Sequence, residues 1–278
     1  MSIIRVLLAS VLLTAAAHAD GHFERTLSAG TSPDLYVATG SGRVHVYPGS
    51  GDEIHITAHL HAGWNAGGDT EDRIRKIVAN PPIQQSGNSV HVGDQVSDRS
   101  LYNNISIEYD ITAPRAVALN LRSGSGDLEI DNLGRFLKAE TGSGSVRAHQ
   151  IGGPADLHTG SGDIELQQTA QGDVKATTGS GSIRVNGFTG ALQMRTGSGD
   201  IEANGTLNGG ASLQSGSGSI RLHVGHEAHF NVEASTGSGS IRIAGLNQSP
   251  DRHHVDGPVN GGGPTLTART GSGDIEIN

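Results

Sequence analysis

The sequence predicts an all-β protein: a parallel β-solenoid, or single-stranded β-helix, of roughly 18-residue coils, with one short α-helix near its start. Three observations carry this. A Gly-Ser-Gly turn opens at Gly40, then at Gly124, Gly142, Gly160, Gly179, Gly197, Gly216, Gly237 and Gly271; from Gly124 to Gly237 the steps are 18, 18, 19, 18, 19 and 21 residues. Each period holds two short runs with apolar residues at every second position, as in strands with one buried face. The charge behind successive turns changes sign: Glu129, Arg147, Glu165, Arg184, Glu202, Arg221.

The third observation separates a solenoid from an antiparallel meander. In a solenoid these side chains lie above one another, about 4.7–4.9 Å apart. Each contact between opposite charges is then worth about 0.2–1 kcal/mol. In a meander they would lie two strands apart and alternation would gain little. Two further outward columns begin the same way, Lys138–Asp156–Lys175 and Arg122–Glu140–His158. Right-handed winding is expected, as for parallel crossovers in general.

Composition agrees. Glycine makes up 42 of 278 residues, and its regular spacing argues against a disordered linker. Aromatic residues are only 3%, which suits the thin core of stacked coils. There is no cysteine, which excludes disulfides, thiolate metal sites and a lipidated cysteine. The net charge of −9 would repel a phosphate backbone, so no nucleic-acid partner is expected.

Taken in order, residues 1–19 read as a secretory signal peptide: Arg5, an apolar run from Val6 to Ala17, then Ala17-His18-Ala19 as the cleavage site. The mature chain is expected to start at Asp20 and to carry no membrane span. Residues 20–120 form an N-terminal β layer. DLYVATGSGRVHVYPGSGDEIHITAHLH (34–61) reads strand, turn, strand, turn, strand. GGDTEDRIRKIVANPP then gives the helix, with Asp69 or Thr70 as cap, acids in its first turn and Pro81 as its stop. Residues 121–278 are the regular coils, with 244–264 inserted as a loop, and the whole is read as one continuous domain.

In each coil an inward pair precedes the turn, such as Leu137/Ala139, and another follows it, such as Val146/Ala148. Thr141, Thr159, Thr178, Thr196, Thr236 and Thr270 share the inward parity just before the glycines. A hydroxyl buried there needs a partner, and the turn's own amides are nearest. GSGDIEIN finishes within a strand that shows no cap. Unpaired backbone on such a coil would invite end-to-end self-association.

The order DLYVATGSGRVHVYPGSGDEIHI, short basic helix, ISIEYDITAPRAVALNLRSGSGDLEI, then repeated coils resembles the bacterial putative-adhesin domain family of unknown function. The resemblance spans nearly all of the mature chain. It implies an exported, non-enzymatic β-solenoid, related to autotransporter-adhesin head domains, in the periplasm or on the cell surface. Some relatives accompany membrane proteins of envelope stress, which implies an alternative role as a periplasmic assembly scaffold.

Several motifs bear on function. Asp127, Asp163, Asp200 and Asp274 follow their turns, but serines at Ser145, Ser182, Ser219 and Ser240 break up the acid column that a calcium stack needs. Pairs such as Asp163 and Glu165, about 6.5–7 Å apart on one strand, have a spacing compatible with glycoside cleavage. The pair recurs in four coils, however, whereas an active site is built once, so a polysaccharide-cleaving enzyme stands third. His55, His59 and His61 share a strand face and are the candidate metal ligands, with His45 placed to pair with His55; no cofactor is expected. Arg221 beside Arg242, with His223 on the same face, is the one break in alternation and the candidate anion-binding patch. Trp64 is either a contact anchor or a cover for the first layer. These features point to a protein or glycan partner at the cell envelope.

Overall fold

The computed structural model describes residues 20–64, 67–96, 98–246 and 253–278. The expected signal peptide lies outside them. The strands run β1 (Asp20–Ser28), β2 (Asp34–Thr39), β3 (Val44–Pro48), β4 (Glu53–Ala62), then helix α1 (Thr70–Ala79), β5 (Ile83–Ser86) and β6 (Ser89–Val92). After a 3₁₀ turn at Arg99–Tyr102 come β7 (Ile105–Ala113), β8 (Ala118–Ser123), β9 (Leu128–Asp131), β10 (Phe136–Thr141), β11 (Val146–Ile151), β12 (Ala155–Thr159), β13 (Ile164–Gln168) and β14 (Val174–Thr178). Two long strands follow, β15 (Ile183–Ser198) and β16 (Ile201–Ser217), then β17 (Ile220–His223), β18 (Phe230–Thr236), β19 (Ile241–Ile243), β20 (His254–Val259), β21 (Thr265–Thr270) and β22 (Ile275–Ile277).

Pairing joins these strands into one long, open sheet. Two parallel ladders run through it, one before the Gly-Ser-Gly turn and one after. Leu137 pairs with Ala155 and Val146 with Ile164, so neighbours in both ladders are offset by one sequence period. The inward pairs expected from alternation are buried, except that Ile243 is only partly covered. Large and small residues alternate between stacked layers of one ladder, as at Leu137 over Ala155 and Leu157 over Ala176.

The spatial order departs from the sequence order near both ends. β2 and β3 lie between β6/β7 on one side and β8/β9 on the other. β21 and β22 lie between β16/β17 and β18/β19. The expectation that GSGDIEIN forms an open terminal coil is therefore corrected: β22 has a strand on each side. The layer beyond it is β18/β19, and β18 is covered on its far side by β20, paired antiparallel. The segment read as a loop at 244–264 thus supplies a covering strand.

At the other end, β4 pairs antiparallel with β7 and β1 with β4. α1 packs on this end through Ile74 and Ile77, both buried. A side chain at Gly21 would lie 2.5 Å from Ile74, so the glycine lets the helix sit close. Asp69 is the N-cap as expected, yet its side chain makes no capping hydrogen bond. Its carboxylate instead lies 3.2 Å from the Arg73 guanidinium.

Candidate binding surfaces

The turn column is locked by the inward hydroxyls. Thr159 Oγ1 donates to the Gly144 carbonyl of the layer below (2.7 Å) and accepts from the Gly162 amide of its own turn (3.1 Å). Thr141 and Thr178 repeat both bonds, and Thr196, Ser215, Thr270 and Thr236 repeat the donation. The glycines are needed because the backbones nearly touch. A Cβ at Gly162 would lie 2.0 Å from the Gly144 carbonyl oxygen.

Outside the turns, each aspartate reaches one layer over. Asp127, Asp163, Asp200 and Asp274 each accept 2.8 Å bonds from the amides of Ser145, Ser182, Ser219 and Ser240. The Ser240 amide and hydroxyl hold the Asp274 carboxyl below its ordinary range. The carboxylates that suggested calcium are engaged by backbone, and two layers, about 9.5 Å, separate one from the next.

The charge column then reads in spatial order Asp110, His45, Glu129, Arg147, Glu165, Arg184, Glu202, Arg221, Glu276, Arg242. No two like charges adjoin. Arg221 and Arg242 are not neighbours, because Glu276 stands between them, and the premise of an anion patch there is corrected. His223 lies on β17 with Asn204 as its partner in register. The signal was present in the sequence: GSIR occurs twice running, at Gly218 and Gly239, before GDIE at Gly273. Exchanging the last two layers restores perfect alternation, and the structure makes that exchange.

The histidines are placed apart. His55 meets Thr26 at 2.9 Å, His61 meets Asp20 at 3.0 Å, and the His59 ring stacks on His22 with centroids 6.5 Å apart. His45 faces Asp131 and Asp110 rather than His55. Among the described residues, no group of three or more His, Asp or Glu side chains is gathered as a metal site. Trp64 is 86% exposed, so it does not cover the first layer.

Two concave features were not anticipated from the sequence. A trough of about 570 Å³ crosses the strands of the ladder before the turn, along the stack. Its floor follows Phe136, Pro154, Asp173, Ala191, Gly210 and Thr265, on successive layers, with Asp156 and Lys175 at its edge. Small outward residues make the depression, and Phe136, 41% exposed, stands at one end. A second cavity, of about 430 Å³, lies where residues 93–96 and 98–104 stand in place of a Gly-Ser-Gly corner.

The family model for the Toastrack DUF4097 domain matches residues 34–278, most of the chain. The chain belongs to the Toastrack family. No curated protein matches the sequence. This Toastrack chain is similar in fold to a putative lipid binding protein from Parabacteroides distasonis, with 13% identity, a TM-score of 0.51, and coverage of 92% of this chain and 96% of that one. It also aligns with a putative cell adhesion protein from Clostridium sporogenes at 11% identity, TM-score 0.26, covering 93% and 98%. A putative adhesin from Bacteroides fragilis aligns at 14% identity, TM-score 0.38, covering 93% and 97%. No described helix of the Toastrack chain is long and apolar enough to cross a membrane.

Proposed function

We propose that the protein is an exported, adhesin-like binding protein of the bacterial envelope or cell surface that acts without catalysis. In this reading residues 1–19 are removed as a signal peptide, and residues 20–278 form one domain. That domain winds as a parallel β-solenoid with coils of about 18 residues, a length the register offsets of the two ladders support, and we take the winding as right-handed, as for parallel crossovers in general.

The observation that carries the binding role is the trough. Six layers at about 4.8 Å give it a run of about 24 Å, long enough for several units of an extended chain. Its strands are already paired on both sides, so an incoming peptide would find no free backbone there. The exposed Phe136 ring and a mainly apolar floor fit the faces of sugar rings, and Ser212, Thr265 and Thr267 can meet their hydroxyls, so we take a polysaccharide as the occupant.

The test is adhesion of the purified mature chain to surface glycans, with Ala191→Arg filling the trough. Loss of binding with an unchanged unfolding transition is expected, and undiminished binding would remove the trough from the reading. Cell fractionation separates a surface adhesin from a periplasmic assembly scaffold. Capture by envelope membrane proteins with no glycan binding would favour the scaffold.

A further inference from the structure

The second cavity has its own chemistry. It is bounded by the corner at Thr39–Gly40, by Gly93 and Asp94, and by the 3₁₀ turn that carries Arg99 and Tyr102. Ile105, Ile107 and Val96 supply apolar walls, and Arg122 stands at the edge. The regular corner column ends here. A Cβ added to Gly124 would strike the Gly40 carbonyl at 2.4 Å, whereas one added to Gly40 meets nothing within 4 Å. The space that the next turn would fill is left open.

Tyr109 reaches into that space. Its side chain is 1% exposed, and its hydroxyl lies 3.6 Å from where a Gly93 side chain would begin. Gly93, at φ +73°, brings its backbone against the Ala38 carbonyl, and its missing side chain keeps clear the space beside the Tyr109 hydroxyl. Burial raises the pKa of both Tyr109 and Tyr102, so both phenols remain hydrogen-bond donors at neutral pH. A phenol that opens on the cavity is placed to donate to an acceptor bound there.

The charges differ in commitment. Asp94 is turned to His91 at 2.7 Å, and Arg122 gives its Nε hydrogen to Glu140 at 3.1 Å. Arg99 has no ion-pair partner among the described residues. Its guanidinium can take a carboxylate through two parallel N–H···O bonds, and its single charge balances one carboxylate. The two tyrosine rings and the aliphatic wall suit a compact ring or aliphatic body, and the volume matches a small-molecule site.

We propose that this cavity binds a compact carboxylic acid, with Arg99 on the carboxylate, the Tyr109 hydroxyl donating to a ligand oxygen, and the body against Tyr102, Ile105 and Ile107. Two sources supply that chemistry: the uronate end of an acidic glycan, or a free small acid. The site stands apart from the trough, and its failure would leave the adhesin reading untouched.

The experiment is titration calorimetry of the mature chain with glucuronate, with a short uronate oligomer, and with glucose and a neutral oligomer of equal length. Both acids are expected to bind, and the neutral sugars to bind about tenfold more weakly or worse. Tighter binding of the oligomer assigns the site to a glycan end, and equal or tighter binding of the monomer assigns it to a free acid. Arg99→Gln, at an exposed position, should weaken acid binding about tenfold without moving the unfolding midpoint. Tyr109→Phe should weaken it by a smaller factor. No acid binding at ~10 mM ligand, equal affinity for neutral sugars, or an unaffected Arg99→Gln variant would each overturn the proposal.

Discussion

Thr159 shows how much one hydroxyl holds in this stack. It is fully buried and satisfies a carbonyl of one layer and an amide of its own turn. Thr159→Val keeps the shape and leaves both backbone groups unpaired, so a loss of about 1–3 kcal/mol is expected in urea unfolding. Glycine substitutions should divide by contact. Gly162→Ala drives a methyl into the Gly144 carbonyl and should cost about 1–3 kcal/mol or more. Gly40→Ala meets open space at a negative φ and should leave stability unchanged or raise it by about 0.5 kcal/mol. Asp274 gives a pH prediction. Its folded pKa lies below the ordinary 3.8, so its contribution is present above that value and is lost as pH falls through the folded one. Asp274→Asn should therefore lower stability at neutral pH and flatten the acid limb of the stability curve below pH 3.8, bringing variant and parent together at low pH.

At the scale of elements, the alternating column specifies which layers adjoin as well as stabilising them. Arg221 has Glu202 on one side and Glu276 on the other. Arg221→Glu therefore creates two like-charge contacts and should cost about 0.5–2 kcal/mol at low salt, with the loss shrinking as salt is added. A stack in sequence order would place one arginine beside the new glutamate and lose far less. Cross-linking gives a direct reading, since the chain has no cysteine of its own. R221C with E276C are adjacent and should form a disulfide under oxidation. R221C with R242C lie two layers apart, about 9.5 Å, and should not. The reverse pattern would overturn the layer order described above.

For the whole molecule, the exchange of layers makes 265–277 a support for what precedes it. Deleting residues 265–278 removes the strands on which β18 and β19 pair. Residues 230–259 should then become sensitive to protease while the layers up to β17 stay folded, because stacked layers depend mainly on their neighbours. In a stack that followed the sequence, 230–243 would keep its partner and its protection. Much of this was legible in the residues: the turn column, the inward pairs, the threonine bonds and the alternating charges all arise from period and parity, which are local properties of a strand. Helix α1 was equally legible from its cap, the acids of its first turn and Pro81. The layer order was visible only as an anomaly, two GSIR turns in succession, and reading it as an anion site assumed that sequence neighbours are spatial neighbours. The sequence by itself determined how each layer is built and what it presents to the next. Only the tertiary structure decided which layer comes next, and where a missing corner leaves a cavity around Tyr109, because parallel pairing accepts any partner whose register and charge agree, however far away in the chain.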